Sequence, residues 1–327
     1  MKRLFRDAGS PREGMRALSP QGSVVCIGAF DGLHLGHRAL AGRACQRARA
    51  LGVQAVALSF EPLPREFFAG DAKPPRLMLA RAKLQGLWDL GCDLVGLLRF
   101  NARLASMSAE DFVRTVLVGR LAAREVWVGP GFRFGKGRAG DIELLRTMGA
   151  ELGFSAHEIE PVLLDGERVS STRIRAALVE GDFATAERLL GRPYAIAGHV
   201  VRGKQLGRTL GFPTANLRFG NKTPALRGIY ATWVHGVSSG LGKSGPWPSV
   251  SSFGTRPTVA GVEPLLEAHL FDFEGDLYGR RIEVEFVARL RDEEKFPDLD
   301  TLVAQMRRDD AQARALLEHA TPQRAIA

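Results

Sequence analysis

The fold of this chain is decided first at residues 24–37, Val24-Val25-Cys26-Ile27-Gly28-Ala29-Phe30-Asp31-Gly32-Leu33-His34-Leu35-Gly36-His37. A short apolar run ends at Gly28, a tight loop with two more glycines follows, and an alanine-rich helix then begins. The first N–H groups of a helix are unpaired and lie at the positive end of its dipole, so this order of elements predicts an anion-binding site. His34 and His37 add two imidazoles at the same helix start.

The spacing of His34 and His37 allows three interpretations. A metal pair would need a third ligand, and no nearby histidine, cysteine or carboxylate has the spacing to supply one. A lone histidine is usually a buried structural residue, but two of them at a glycine-bracketed helix start favour binding. A phosphate-binding pair fits the strand–loop–helix context best, because an imidazole can donate to oxygens that gain charge as pyrophosphate leaves.

Apolar runs and helical stretches alternate from Ser23 to about Leu189. The runs predict buried strands at Val24–Gly28, Ala55–Phe60, Leu94–Leu98 and Glu125–Gly129. The stretches between them predict helices at His37–Leu51, Leu77–Leu90, Ser108–Leu121 (with Ser108 as its N-cap) and Asp141–Leu152. This alternation predicts a parallel sheet with helices on both faces and ligands at the carboxyl ends of its strands.

The pattern changes after Tyr194, and Gly191-Arg192-Pro193 predicts the boundary between a domain of residues 1–190 and one of residues 191–327. Short runs of β-character predict a small closed barrel from Tyr194–Val201, Gly228–Val234, Ser249–Phe253, Leu265–Phe273 and Arg281–Leu290. Residues 236–248, rich in glycine and serine, predict a loose hairpin loop. A final amphipathic helix is predicted from about Asp298 to His319, with an apolar stripe of Leu299, Leu302, Val303 and Met306.

Composition excludes several classes of protein. The chain has 327 residues, of which 45% are hydrophobic and 25% charged, as in ordinary globular proteins. No apolar run approaches the roughly 20 residues of a membrane span, and no signal peptide is visible. The three cysteines have neither disulfide-framework nor zinc spacing, which indicates a reducing cytoplasm. The net charge of +9 could indicate nucleic-acid binding, but the arginines are dispersed and form no long basic block, so an arginine-rich composition explains it more simply. Local positive potential would equally suit anionic phosphate substrates.

A second phosphate-binding stretch lies at residues 198–216, where glycines alternate with a lysine and arginines and the segment ends in Pro213-Thr214-Ala215-Asn216. Glycines in a β-context let the backbone approach a phosphate chain closely. No Gly-Lys-Ser/Thr sequence enters a helix here, so the stretch is not a Walker loop.

The stretch Gly28–His37 resembles the H-x-G-H signature of the nucleotidyltransferase superfamily, and its flanks resemble the FAD synthetase branch found in bacterial bifunctional riboflavin kinase/FMN adenylyltransferases. Residues 169–175 (VSSTRIR) resemble the second motif of that superfamily. The resemblance implies that His34 and His37 are catalytic residues that contact ATP phosphates. It also implies that nucleotide is bound by Gly28, Phe30, Asp31, Gly36, Arg168, Ser171 and Thr172.

Residues 60–64 (FEPLP) resemble a family loop expected near the flavin, and their alternative interpretation is simply a stiff loop. Gly131 stands where the family motif G-x-D/N-F-x-F-G has a polar residue, a departure expected to weaken adenylylation.

The string from Gly198 to Asn216 resembles riboflavin kinase over its whole length. This resemblance implies that Thr214 and Asn216 hold Mg²⁺ and that Glu267 is the catalytic base, while His269 is interpreted as structural. It also implies nucleotide or flavin contacts by Gly203, Lys204, Gly207, Arg208, Thr209 and Arg291. Ser252 replaces an asparagine that the family usually carries.

Together these features predict an α/β Rossmann-like nucleotidyltransferase domain followed by a six-stranded antiparallel β-barrel kinase domain with a C-terminal helix. The predicted reactions are phosphorylation of riboflavin to FMN and adenylylation of FMN to FAD, with ATP as co-substrate and Mg²⁺ as cofactor. The expected partners are these small molecules alone, with no nucleic acid and no membrane, in a monomer or weak homo-oligomer. A kinase with a weak adenylylating half and a flavin- or nucleotide-binding regulator stay open as alternatives.

Overall fold

The computed structural model describes residues 2–7, 17–70, 72–203, 205–220, 222, 224–238, 244–258 and 261–323, with backbone only at 255–258 and 261–263. Internal packing divides the chain into two compact units, one of residues 1–74 and 80–170 and the other of residues 75–79 and 171–327. This division differs from the boundary predicted at residue 190. Residues 171–190 fall in the second unit because Phe183 packs its ring against Tyr230 and Phe286 of the barrel.

A six-stranded parallel sheet forms the centre of the first unit, with its strands in the order β1-β4-β3-β2-β5-β6. Its strands are β1 (Arg3–Phe5), β2 (Ser23–Ile27), β3 (Gln54–Glu61), β4 (Leu94–Arg99), β5 (Ala123–Val128) and β6 (Ser155–Glu158). A two-stranded antiparallel ribbon of β7 (Leu163–Leu164) and β8 (Glu167–Arg168) follows. The parallel sheet expected from the alternating pattern is confirmed, and its four predicted strands are β2 to β5. The pattern did not predict β1 and β6, whose short sequences are paired only at the edges of the sheet.

The helices of the first unit begin and end at residues that suit helix termini. They are α1 (Leu35–Leu51), α2 (Pro64–Phe68), α3 (Ala80–Asp89), α4 (Ala102–Ala105), α5 (Ala109–Phe112, continued as a π-helix over Val113–Arg120) and α6 (Ile142–Leu152). The predicted cap is confirmed, since the Ser108 side chain accepts from the backbone N–H of Asp111. Gly52 ends α1 with φ +63°, a left-handed conformation that glycine adopts without steric cost.

A closed antiparallel barrel with the strand order β10-β13-β12-β11-β14-β9 forms the centre of the second unit. Two helices precede it, α7 (Ser171–Glu180) and α8 (Phe183–Leu190). Its strands are β9 (Ala195–Val201), β10 (Ala215–Arg218), β11 (Gly228–Ser238), β12 (Ser244–Thr258), β13 (Gly261–Leu270) and β14 (Arg281–Arg291), with the short helix α9 (Leu206–Thr209) between the first two. The C-terminal helix α10 (Leu299–Glu318) follows, so the predicted barrel-plus-helix architecture is confirmed.

Two details of the barrel differ from the sequence-based expectations. The prediction of a loose loop at residues 236–248 is wrong for residues 236–238 and 244–248. Strand β11 runs to Ser238, β12 starts at Ser244, and the two strands pair with each other. Residues 239–243 lie outside the described residues. The predicted apolar stripe of α10 is not a core face, since Leu299 is 57% exposed. Leu302 and Met306 line a cavity instead, and the helix packs on the barrel through Ala313 and Leu317.

Among the residues that the structure describes, no helix is both long enough and apolar enough to cross a bilayer.

Candidate active sites

The first candidate site lies where β2 ends and α1 begins, at the carboxyl edge of the parallel sheet. The connecting loop is tight, and Phe30, Gly32 and Leu33 all have positive φ. The Phe30 side chain is completely buried and its ring lies 5.3 Å from that of His37, so it packs beneath the site. Gly28 lies close to the same ring, since a Cβ atom added there would come within 3.3 Å of Phe30. The Asp31 side chain is buried as well. The loop is therefore a closely packed support for the helix start.

His34 is the N-cap of α1, and this role determines its tautomer. The Nδ1 atom of His34 accepts from the backbone N–H of His37 at 3.3 Å. An imidazole nitrogen that accepts carries no proton, so the ring proton of His34 lies on Nε2. A Cβ atom on Gly36 would come within 3.2 Å of the His34 ring and 3.8 Å of the Val169 carbonyl oxygen. Glycine at position 36 thus lets α1 start close to these groups.

His37 stacks on His34 and is kept uncharged by its surroundings. The two ring centroids are 3.7 Å apart with an interplanar angle of 20°. Burial lowers the pKa of His37 well below its ordinary value of 6.5, and electrostatic interactions with His34, Lys83 and Arg168 lower it further. Its Nδ1 atom is buried and has no hydrogen-bond partner within the described part of the chain. A buried polar atom without a partner is costly, which is typical of a position that a ligand completes.

The other residues predicted to bind phosphate together with His34 and His37 lie at the end of β8 and at the start of α7. Arg168 ends β8, and its Nη2 donates to the carbonyl oxygen of Pro130 at 3.1 Å. Ser171 and Thr172 are the first two residues of α7.

Lys83 is a residue that sequence reasoning missed. Its side chain is fully buried although it lies on α3, and Nζ donates to Ser59 Oγ at 3.3 Å and to the Phe60 carbonyl oxygen at 3.4 Å. Its charge contributes to the lowered pKa of His37, which brings it into the electrostatic environment of the site. Lysine on an amphipathic helix is usually solvated, so the sequence carried no signal for this placement.

An aromatic cavity of about 570 Å³ opens in the first unit next to the predicted flavin loop. Its phenylalanine lining consists of Phe60, Phe68, Phe100, Phe112, Phe132 and Phe134. Phe60 and Phe100 meet edge to face at 5.8 Å, while Phe132 and Phe134 stack at 5.5 Å.

Gly131, the position at which the chain departs from the family motif, has φ +69° and donates its N–H to Glu158. Open space lies where a Cβ atom would be added.

The second candidate site is built around the glycine-rich segment that follows β9. Here a Cβ on Gly203 would come within 2.9 Å of Asn216 Oδ1, and a Cβ on Gly207 would clash with the Phe212 carbonyl oxygen. The short helix α9 carries Arg208 and Thr209, and the Thr209 hydroxyl donates to the Leu206 carbonyl oxygen. Lys204 lies outside the described residues.

Thr214, Asn216 and Glu267 are brought together by the pairing of β10 with β13, which sets Asn216 opposite Glu267. Asn216 Nδ2 donates to the carbonyl oxygen and the hydroxyl oxygen of Thr214, at 3.2 and 3.3 Å. The Thr214 hydroxyl in turn lies 3.4 Å from Glu267 Oε1. The Oδ1 atom of Asn216 is buried and, among the described residues, has no hydrogen-bond partner. An oxygen in this situation suits a hard cation such as Mg²⁺.

Two cavities meet at Thr214. The first, of about 560 Å³, is lined by Arg202, Arg208, Asn216, Asp276 and Tyr278 among others. The second, of about 640 Å³, contains Glu267 and is lined on its apolar side by Leu206, Phe212, Leu302 and Met306. Thr214 lines both. The barrel thus offers a polar cavity and an apolar cavity that share Thr214 as a lining residue.

Arg291, predicted to contact the flavin, lines the apolar cavity but is held by another side chain. Its Nε and Nη2 atoms donate to the carboxylate of Asp309, at 2.9 and 2.7 Å. This ion pair raises the pKa of the Arg291 guanidinium. The guanidinium carbon lies 5.7 Å from the centre of the Phe296 ring, which also lines the cavity.

A parallel-sheet unit has a histidine pair at a helix start, and in the barrel that follows Glu267 lines an apolar cavity while Thr214 lines both that cavity and a polar one. These two sites define a transferase with two nucleotide-dependent centres. The FAD synthetase family model matches residues 17–173, and the riboflavin kinase family model matches residues 190–317. The chain belongs to the family of bacterial bifunctional riboflavin kinase/FMN adenylyltransferases.

Several relatives carry that description over nearly their whole length. The protein of Pseudomonas fluorescens is 46% identical over 307 residues, which are 93% of this chain and 96% of the relative. The protein of Escherichia coli (strain K12) is 44% identical over 294 residues, 90% of this chain and 92% of the relative. A solved structure from Streptococcus pneumoniae, described as a macrolide-efflux protein, matches with a TM-score of 0.72 and 28% identity, covering 96% of this chain and 99% of that one.

Proposed function

We propose that the two reactions of this family are divided between the two candidate sites as follows. In the first reaction riboflavin and ATP give FMN and ADP, and in the second FMN and ATP give FAD and pyrophosphate. We assign the second reaction to residues 1–190 and the first to residues 191–327. The observation that carries the kinase assignment is the position of Thr214, which lines both barrel cavities and lies 3.4 Å from Glu267.

In the kinase step Glu267 acts as the general base. The ribityl 5′-hydroxyl of riboflavin is a neutral nucleophile and must lose its proton as its oxygen attacks the γ-phosphorus of ATP. Glu267 accepts that proton, the new O–P bond forms, and ADP leaves with the electron pair of the broken bond. The apolar cavity suits the flavin ring, and the polar cavity with Arg202 and Arg208 suits the ATP phosphates.

Thr214 and Asn216 are the residues that would hold Mg²⁺ in this step. The partnerless Oδ1 of Asn216 fits this role, because its amide group is oriented by two hydrogen bonds from Nδ2 to Thr214. When bound, Mg²⁺ neutralises charge on the ATP phosphates. Both ligands are uncharged, so they would rely on the nucleotide to bring the metal.

In the adenylylation step the enzyme supplies no base. The phosphate of FMN is already an anion at neutral pH, and its oxygen attacks the α-phosphorus of ATP while pyrophosphate departs. Neutral His34 and His37 donate hydrogen bonds to the phosphates, and Arg168 and the buried Lys83 add positive charge. The motif resemblance alone assigns Gly28, Gly36, Ser171 and Thr172 to the same nucleotide.

The flavin ring of FMN would bind in the aromatic cavity of the first unit. Stacked and edge-on phenylalanine rings suit a large planar ligand. Arg65, Arg133 and Arg138 also line this cavity and suit an anionic substrate.

We further assign the protein to the cytoplasm, where its buried thiols stay reduced. We assign it as a monomer or a weak homo-oligomer.

The test is to incubate the purified protein with riboflavin, ATP and Mg²⁺ and to separate the flavins. We expect FMN and then FAD to accumulate, and recovery of unchanged riboflavin would overturn the assignment. A second incubation with FMN and ATP addresses the alternative of a kinase with a weak adenylylating half. Brisk FAD formation removes that alternative, while FMN that stays unconverted supports it.

A further inference from the structure

His269 lines the apolar cavity of the kinase site and takes no part in the proposed proton transfer or metal binding. It lies on β13 two residues after Glu267, so both side chains are on the same face of the strand. Its Nδ1 atom lies 2.8 Å from the carbonyl oxygen of Pro213. A carbonyl oxygen can only accept, so Nδ1 carries the proton and donates it to Pro213.

The remaining contacts of His269 hold its ring in one orientation. Nε2 lies 3.8 Å from Asp310 Oδ1 on α10, and Asp310 is itself held by Arg314 Nε at 2.8 Å. The Phe212 ring packs against the imidazole at 5.3 Å. The side chain is only 14% exposed. Both ring nitrogens therefore face protein groups, although the ring borders the apolar cavity.

The hydrogen bond to Pro213 acts directly on the segment that carries Thr214. Proline has no N–H, so its carbonyl is the only main-chain group through which residue 213 can be held by a hydrogen bond. Thr214 follows at once, its hydroxyl lies 3.4 Å from Glu267 Oε1, and the residue lines the polar cavity. We propose that His269 is a positioning residue of the kinase site, which fixes Thr214 through the Pro213 carbonyl. This proposal rests on the kinase function proposed for the barrel.

The consequence is an effect on nucleotide and metal use rather than on the flavin. Without the donor on residue 269 the Pro213 carbonyl can turn, and Thr214 loses its fixed place beside Asn216 and Glu267. Because Thr214 and Asn216 are the proposed metal-binding groups, the half-saturating concentrations of Mg²⁺ and MgATP should rise. A variant that keeps an aromatic ring at position 269 preserves the apolar border of the flavin cavity, so the KM for riboflavin should change less than the KM for MgATP.

The experiment compares His269→Phe with His269→Asn in the full-length protein. Phenylalanine keeps an aromatic ring beside Phe212 but has no donor, whereas asparagine places an amide N–H near the position of Nδ1. We expect the Phe variant to raise the KM for MgATP and the half-saturating Mg²⁺ by about fivefold, the loss typical of one hydrogen bond. The Asn variant should return both to within about twofold of the parent protein. If the His269→Phe variant does not fold, His269→Leu, which also lacks a donor, serves in its place.

His235 is a matched control, because its side chain is 12% exposed and its Nε2 lies 2.6 Å from Glu285 Oε2, on the same barrel. His235→Asn should lower the melting temperature without changing the KM for MgATP. The proposal is overturned if His269→Phe leaves the MgATP and Mg²⁺ dependences unchanged, if it raises only the KM for riboflavin, or if Asn fails to restore what Phe removes. Failure of the parent protein to form FMN would instead refute the proposed kinase function.

Discussion

The imidazole rings of His34 and His37 stack face to face, with centroids 3.7 Å apart. Burial lowers the pKa of His37, and the repulsion between two positive charges at this distance would lower it further. In the proposed adenylylation step the pair therefore meets the nucleotide as neutral hydrogen-bonding groups. Positive charge at the site comes instead from Lys83 and Arg168, whose charges both act on His37.

The lowered pKa of His37 predicts a specific dependence of stability on pH. Well above pH 6.5 neither the folded nor the unfolded form binds a proton at His37, so its contribution to stability is constant. Below pH 6.5 the unfolded chain takes up a proton that the folded chain does not, and stability falls. Between pH 7.5 and 5.5 the free energy of unfolding should therefore fall by about 1 kcal/mol more in the parent protein than in His37→Gln. Urea unfolding at the two pH values measures this, and equal losses in both proteins would contradict it.

His37→Ala should abolish FAD formation and leave FMN formation largely intact. The reason is that His37 lies in the parallel-sheet unit, while the proposed kinase residues all lie in the barrel. Separate assays with FMN and ATP, and with riboflavin and ATP, measure the two activities. Loss of both activities in a folded variant would refute two separate active sites.

Glu267→Gln should have the reverse effect. Glutamine keeps an oxygen beside the Thr214 hydroxyl but cannot accept a proton, so the kinase rate should fall by about 10²- to 10⁴-fold. FAD formation from supplied FMN should continue at the parent rate. Unchanged kinase activity would show that another group is the base.

Asn216→Ala should raise the Mg²⁺ concentration required by the kinase. It removes the buried Oδ1 oxygen together with the two hydrogen bonds from Nδ2 to Thr214. Asn216→Asp retains an oxygen at this position and should require less Mg²⁺ than the Ala variant. Rates measured over a Mg²⁺ titration at constant ATP compare the variants, and identical curves for Ala and the parent would exclude Asn216 as a metal-binding residue.

Gly131→Asn should raise the rate of FAD formation by about two- to tenfold, the range of one regained hydrogen bond. Position 131 has φ +69°, which asparagine tolerates better than most residues, and open space lies where a Cβ would be added. Gly153→Asn is the matched control, since Gly153 also has a positive φ and an open Cβ position but ends α6, outside the family motif. A rate unchanged in Gly131→Asn would show that the departure from the motif does not limit adenylylation.

The two reactions of the family could be predicted from local sequence motifs. Gly28 to His37 and Gly203 to Asn216 are continuous stretches in which glycine, histidine and hydroxyl residues have fixed spacings, and these spacings depend on turn and helix-start geometry. The same holds for the alternation of strands and helices that predicted the parallel sheet. Short strands such as β1, β6 and β10 were missed, because their few residues form strands only through pairing with distant partners.

The sequence by itself therefore determined the family and the two fold classes, since these follow from residue types at short spacings, and it predicted two phosphate sites. The tertiary structure decided which distant residues act together. Only the pairing of β10 with β13 sets Asn216 opposite Glu267, and only the packing of α3 buries Lys83 near His37. Such contacts join residues far apart in the chain, and long-range pairing depends on the whole core rather than on any local pattern.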